Sequence, residues 1–118
     1  MDTIELLKKV KIFTSLREED LQKILGWSSI GKYKKGAFVF HEGDESEWLY
    51  IILRGKVKIV KHSASGQDTI LEVHAAGDTI AEVAVIDGRP YPASAACLGE
   101  SSLLKISRSK FMEVIVSY

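Results

Sequence analysis

The sequence predicts a mainly β domain flanked by short α-helices. Two observations carry that prediction. Between Ser28 and Ile106, short runs of β-branched and aromatic residues alternate with turn residues, the pattern of successive strands in an all-β core. Within that stretch Gly55, Gly66, Gly77, Gly88 and Gly99 follow one another at a constant step of 11 residues, matching a strand plus its turn, about 8 to 12 residues. The residues between the glycines are dissimilar, so the step is a structural beat and not a sequence repeat.

Taken in order, Ile4, Leu7 and Val10 fall at helical spacing beside Lys8, Lys9 and Lys11, which predicts a short amphipathic helix. Ser15-Leu16-Arg17-Glu18 reads as a capping box opening a second helix, with Leu21, Ile24 and Leu25 on one face and an end near Gly26. Strands are expected at Ser28–Lys34, Phe38–His41, Trp48–Leu53, Val57–Lys61, Thr69–Val73, Ala93–Cys97 and Ser102–Ile106. Ala81–Ile86 interrupts the strand rhythm and reads as one helical turn set into the sheet. Ser107 caps a last helix whose apolar stripe is Phe111, Val114, Ile115 and Tyr118. The expected organisation is a single domain over 1–118, with helices at about 3–26, a β-roll at about 28–106 and a helix at about 108–118.

Composition narrows the function. Apolar residues make up 46% and charged residues 27%, ordinary globular values. Sixteen Lys and Arg balance 16 Asp and Glu, so the chain lacks the cationic surplus with which nucleic-acid-binding domains neutralise phosphates. No nucleic-acid contact is expected from these residues, and Lys8–Lys11 and Lys32–Lys35 read as solvated faces. The acidic start lacks the features of a signal peptide, and no apolar run approaches the roughly 18 residues needed to span a bilayer. With one cysteine, Cys97, no intramolecular disulfide is possible, and a cytoplasmic location without membrane association is expected.

Three motifs are more specific: Phe40-His41-Glu42-Gly43-Asp44, Tyr50-Ile51-Ile52-Leu53-Arg54-Gly55-Lys56-Val57 and Gly77-Asp78-Thr79-Ile80-Ala81-Glu82-Val83-Ala84. Together with the order helix, β-roll, helix, and with Phe13 before a capped helix, they resemble the cyclic-nucleotide-binding-like sensor domain of the Crp/Fnr family of bacterial transcription regulators. That resemblance covers essentially the whole chain. It implies a jelly-roll-like β-roll, or double-stranded β-helix, in which a short helix between two strands forms a phosphate-binding cassette.

By the same resemblance the cassette helix is Ala81–Ile86 and Glu82 is the ribose-binding glutamate. The implied ligand-binding set is Ile80, Ala81, Glu82, Val83, Arg89, Tyr91, Ala93 and Ser94. Two positions depart from the family pattern. Ala81 replaces the glycine before the glutamate, and Tyr91 stands where an arginine neutralises the cyclic phosphate. A neutral phenol offers one O–H where a guanidinium offers a bidentate, charge-assisted contact, so cyclic AMP or cyclic GMP remains a possible ligand on weakened terms. Glu82 also has a reading without any ligand, since a carboxylate at the start of a helical turn is favoured by the helix dipole.

Other chemistries find little support. His41, His62 and His74 are far apart and lack partners at zinc-ligand spacing, and His41 and His74 read as turn histidines. Some relatives bind haem through a histidine of the cassette, and Thr79–Ser94 contains none, so haem is not expected. One cysteine excludes an iron–sulfur cluster of the kind other relatives carry. Trp27, Trp48 and Tyr50 read as core or sheet-packing aromatics. No nucleophile elbow, Walker loop or paired-carboxylate pattern appears, and no enzyme is expected.

The expected function is therefore effector sensing: a small molecule in the β-roll controls DNA binding by a domain outside this chain, in a parent resembling the family's homodimers. The alternative is a stand-alone regulatory module that engages a partner protein through the C-terminal stripe.

Overall fold

The structure, a computed structural model, describes residues 2–116. Tyr118, the last member of the expected C-terminal stripe, lies outside the described residues. The chain runs α1 (Thr3–Lys8), a 3-10 turn (Lys11–Phe13), α2 (Glu18–Gly26), β1 (Ser28–Tyr33), β2 (Phe38–Phe40), β3 (Trp48–Arg54), β4 (Lys56–His62), β5 (Asp68–Ala75), β6 (Thr79–Ile80), α3 (Glu82–Asp87), β7 (Ser94–Cys97), β8 (Ser101–Ser107) and α4 (Arg108–Val116). The strands form two four-stranded sheets, β1-β8-β3-β6 and β2-β7-β4-β5, with every pairing antiparallel. Successive strands cross between the two facing sheets except at the β4–β5 hairpin, which makes the jelly-roll-like β-roll that the sequence predicts.

Every strand expected from the sequence is present, with ends displaced by a residue or two. Strand β5 extends to Ala75, two residues beyond the expected end, and β6 is a two-residue strand that sequence patterning does not show. The second helix begins at Glu18 with Arg17 as its N-cap, so the capping box is not opened by Ser15. Asp20 is the residue that closes it: its carboxylate accepts the backbone N–H of Arg17 at 3.1 Å. At the other end Ser107 caps α4 as expected, its Oγ accepting from Lys110 N at 3.3 Å.

The glycine beat has a physical basis at Gly55, where the chain crosses from β3 in one sheet to β4 in the other. Gly55 has φ +98°, and a Cβ there would lie 2.2 Å from Ser101 Oγ and 2.7 Å from Glu100 O. Only a residue without a side chain lets this connection pass so close to the start of β8.

The two sheets enclose a core of Val57, Tyr50, Ile52, Ala95 and Leu103, all buried. A second apolar layer joins the helices, with Phe13 and Phe111 in tilted contact at 6.3 Å between ring centroids. Among the aromatics, Tyr50 is buried but Trp27 is 39% exposed, its ring covered by the Lys110 ammonium at 4.9 Å. Among the described residues, no helix is long and apolar enough to cross a membrane.

Candidate functional site

Helix α3 starts directly after β6, and the junction is strained. Ala81, its N-cap, has φ +56° and ψ +35°, and it is the only non-glycine residue with positive φ among the described residues. An alanine in this left-handed region costs roughly 1–2 kcal/mol relative to the right-handed one. Buried Ile80, paired with Tyr50, fixes the chain on one side, and the Val85 N–H bonded to Ala81 O at 3.2 Å fixes it on the other. The bend presents Glu82 at the first turn of α3.

Three contacts hold α3 from behind. Ser46 Oγ donates to Ala84 O at 3.2 Å. Arg108 Nε donates to Val85 O at 2.7 Å, and its Nη2 to Ile86 O at 3.3 Å. Gly88, with φ +71°, makes room for that guanidinium, because a Cβ there would sit 3.1 Å from Arg108 Nη2. The C-terminal carbonyls of α3 are thus satisfied by a cation on α4.

Between α3, β5 and the segment that follows α3 lies an open cleft of about 480 Å³, continuous with an inner recess of about 220 Å³ through Glu72, His74, Ala81 and Pro92. The recess is largely apolar, lined by Phe40, Ile59 and Ala93 and at its edge by the exposed Leu71. The outer part carries the charges Glu72, Glu82, Asp87, His74 and Arg89. Glu82 is only partly exposed, and its Oε2 is shut off from solvent without a hydrogen-bond partner. A buried polar atom left unpaired in this way is uncommon in a folded protein and calls for a partner.

Of the residues the sequence singled out, Ala81, Glu82, Val83 and Arg89 line the outer cleft, and Ala81 and Ala93 line the recess. Ile80, Tyr91 and Ser94 line neither. Ile80 is wholly buried in β6. Ser94 is buried, and its Oγ accepts the Glu42 N–H at 2.8 Å. Tyr91 is 3% exposed, stacks on Phe40 with centroids 3.8 Å apart, and donates its O–H to the Trp48 carbonyl oxygen. Its ring therefore backs the recess floor from behind Phe40. Burial, with the nearby carboxylates Asp44 and Glu47, pushes the Tyr91 phenol up to about 12.

The turn Glu42-Gly43-Asp44 fastens this segment: Tyr91 N donates to Asp44 O and Gly43 N to Tyr91 O, both at 2.9 Å. Lys61 adds a bond from Nζ to Pro92 O at 2.9 Å while pairing with Glu42 at 3.1 Å.

Glu72 and His74 are cleft residues that the sequence reading missed. His74 was expected as a turn histidine at a strand end. It is the penultimate residue of β5, at the strand end as expected, and its ring nitrogens contact Glu72 at 2.7 Å and Asp78, beyond the turn, at 3.4 Å. The available signal was the alternation of β5, which places residues 72 and 74 on one face once the strand extends to Ala75. Among the described residues, no three His, Cys, Asp or Glu side chains are grouped so as to hold a metal ion.

Known proteins place this arrangement. The cyclic AMP receptor protein of Thermus thermophilus is 26% identical over 109 residues, covering 92% of this chain and 50% of that protein. The lysophospholipase nte1 of Emericella nidulans is 31% identical over 111 residues, covering 92% of this chain and 7% of that protein. This chain thus spans half or less of the length of these relatives. Among solved structures, the sensor domain of the transcriptional regulator DNR from Pseudomonas aeruginosa superposes with a TM-score of 0.88 at 31% identity, covering 95% of this chain and 75% of that one. The cyclic nucleotide-binding domain family matches residues 30–118, three-quarters of the sequence and all of the β-roll but its first two residues, and the chain belongs to that family.

Proposed function

We propose that this chain is an effector-sensing domain that binds a small molecule in the cleft between α3 and β5 and passes the event to α4. The observation that carries this reading is Glu82 in the cleft lining, a carboxylate whose Oε2 is shielded from solvent and unpartnered, so that its hydrogen-bonding capacity is unfilled until a small rotation turns it to a ligand hydroxyl or N–H in the cleft. The remaining site residues, Ala81, Val83, Arg89 and Ala93, complete the walls, while Ile80, Tyr91 and Ser94 support them from inside the fold.

Signal transfer follows from the contacts of α3. A ligand that draws Glu82 inward moves a six-residue helix whose far end is held by the first residue of α4. Such a ligand shifts α4 between positions in proportion to its differential affinity for them. In a longer, cytoplasmic, homodimeric regulator that shift would govern DNA binding by a separate domain, consistent with the likeness to the cyclic AMP receptor protein and to the DNR sensor domain. The domain itself acts by binding and not by catalysis.

Thermal melting with a panel of cyclic nucleotides, nucleosides and other small metabolites tests the reading. A compound at 100 times its Kd should stabilise the native state by about 2.7 kcal/mol. The shift should vanish in Glu82→Gln. A panel without any stabilising member, or a shift that survives in Glu82→Gln, would overturn the assignment of the cleft.

A further inference from the structure

We propose a second binding site, for a small molecule carrying two or more linked phosphoryl groups, in the basic cleft at the end of the β1-β8-β3 sheet.

This cleft of about 450 Å³ is lined by Lys32, Tyr33, Lys34, Arg54, Glu100 and the two serines that open β8. It shares no residue with the cleft between α3 and β5. Its volume falls within the range of small-molecule sites, roughly 300–1,000 Å³. Three cations face one carboxylate there, in a chain whose charges balance at 16 to 16 overall. Among the described residues, Lys32, Lys34 and Arg54 are in no ion pair, and the hydroxyls of Tyr33 and Ser102 have no hydrogen-bond partner. Lys61 and Arg108, by contrast, are spent on backbone carbonyls.

Strand pairing gathers these donors into one row. Lys32 of β1 stands opposite Ser102, and Arg54 of β3 stands opposite the same serine from the other side. Paired strands lie about 5 Å apart, so the strands of Lys32 and Arg54 are about 10 Å apart with Ser102 between them. Arg54 reaches that place through a bulge. Ile52 pairs with Leu103, and an unbroken register would set Leu53 beside Ser102; the shift between Ile52 and Arg54 puts the arginine there instead. Bulges re-aim side chains in this way next to functional sites, and this one exchanges an apolar group for a cation.

A phosphoryl group suits the row. The guanidinium meets it with a planar fork of donors, the lysine with a point charge, and the Ser102 hydroxyl with one further donor. Unpaired cations in one cleft repel each other, and a bound anion relieves that repulsion besides adding its own attraction. One phosphoryl group over Ser102 answers Lys32 and Arg54. Lys34, on the turn after β1, answers a second, so the geometry selects a diphosphate or longer chain over a single phosphate.

Isothermal titration calorimetry with inorganic tripolyphosphate, pyrophosphate, orthophosphate and sulfate, together with amide chemical-shift mapping, tests this. Pyrophosphate and tripolyphosphate should bind one to one, at least tenfold more tightly than orthophosphate or sulfate, with shifts centred on residues 31–34, 54–56 and 100–103. Arg54→Gln and Lys32→Gln change exposed side chains, so both should melt as the wild type does while binding at least tenfold more weakly. Arg54→Lys keeps the charge without the fork and should recover only part of that loss. Lys23→Gln removes the same charge from α2 and should leave the affinity unchanged. Equal binding of all four anions, or an equal loss in Lys23→Gln, would reduce the effect to general charge attraction and overturn the proposal. Shifts centred on residues 81–85, or no saturable binding at millimolar pyrophosphate, would overturn it as well.

Discussion

Arg108 Nε lies 2.7 Å from the carbonyl oxygen of Val85, so the first residue of α4 holds the C-terminal end of α3. A hydrogen bond from a charged donor contributes about 1.5–3 kcal/mol, less where water competes. Arg108→Ala should therefore cost about 2 kcal/mol in urea unfolding. A second readout separates coupling from simple stability. In the wild type, ligand binding should change amide hydrogen exchange in α4, and in Arg108→Ala the change should stop at α3.

Ala81 offers the opposite sign. Its left-handed backbone is one that glycine adopts without a Cβ penalty, so Ala81→Gly should relieve strain. The gain is partly offset by the greater freedom of glycine in the unfolded chain. A net stabilisation of about 1 kcal/mol is expected from denaturant midpoints, in contrast to the usual loss when a helix-proximal alanine becomes glycine. A loss of stability would show that the bend at Ala81 is not strained.

Tyr91 should give the fold an alkaline limit. Its folded value of about 12 lies above the ordinary value of 10.0, so below pH 10 both folded and unfolded forms keep the proton and the full contribution is present. As pH rises from 10 towards 12 the unfolded phenol ionises first, and stability falls. Tyr50, raised by burial in the same way, adds to the slope. Tyr91→Phe should cost about 1 kcal/mol at neutral pH through the lost bond to Trp48, and should make the decline above pH 10 shallower. Chemical unfolding followed across pH 8–11.5 checks both effects.

Cys97 should be chemically silent while the domain is folded. It is 2% exposed in β7, and burial raises its thiol above the ordinary value, which lowers the reactive thiolate fraction. Labelling with an aromatic disulfide should be at least about a hundredfold slower in native buffer than in denaturant. Rapid native labelling would show that β7 opens locally.

Much of the fold was legible in the sequence because its signals are local. Strand runs and the Ser107 cap each act over a few residues, and they appear within a residue or two of where expected. Helix α3 and Glu82 were legible for a different reason, a compact motif with a recognisable order. What sequence could not supply was direction. Tyr91 stands at the expected position in the chain, yet stacking on Phe40 and a bond to a carbonyl 43 residues away turn it into the core. Glu72 and His74 join the site only because β5, β6 and α3 meet across the roll, a non-local arrangement that no spacing encodes. The Ser15 cap failed on a smaller scale: the helix starts at Glu18 with Arg17 as its N-cap, and the box is closed by Asp20, two residues inside it, accepting the N–H of Arg17.

Amide chemical-shift mapping of the ¹⁵N-labelled protein, titrated with whichever panel compound gives the largest Glu82-dependent melting shift, tests the central claim most directly. The cleft account predicts the largest perturbations at residues 81–85, with further changes at Glu72, His74 and Arg108. Perturbations confined to another surface, such as the basic cleft of Lys32, Lys34 and Arg54, would contradict it.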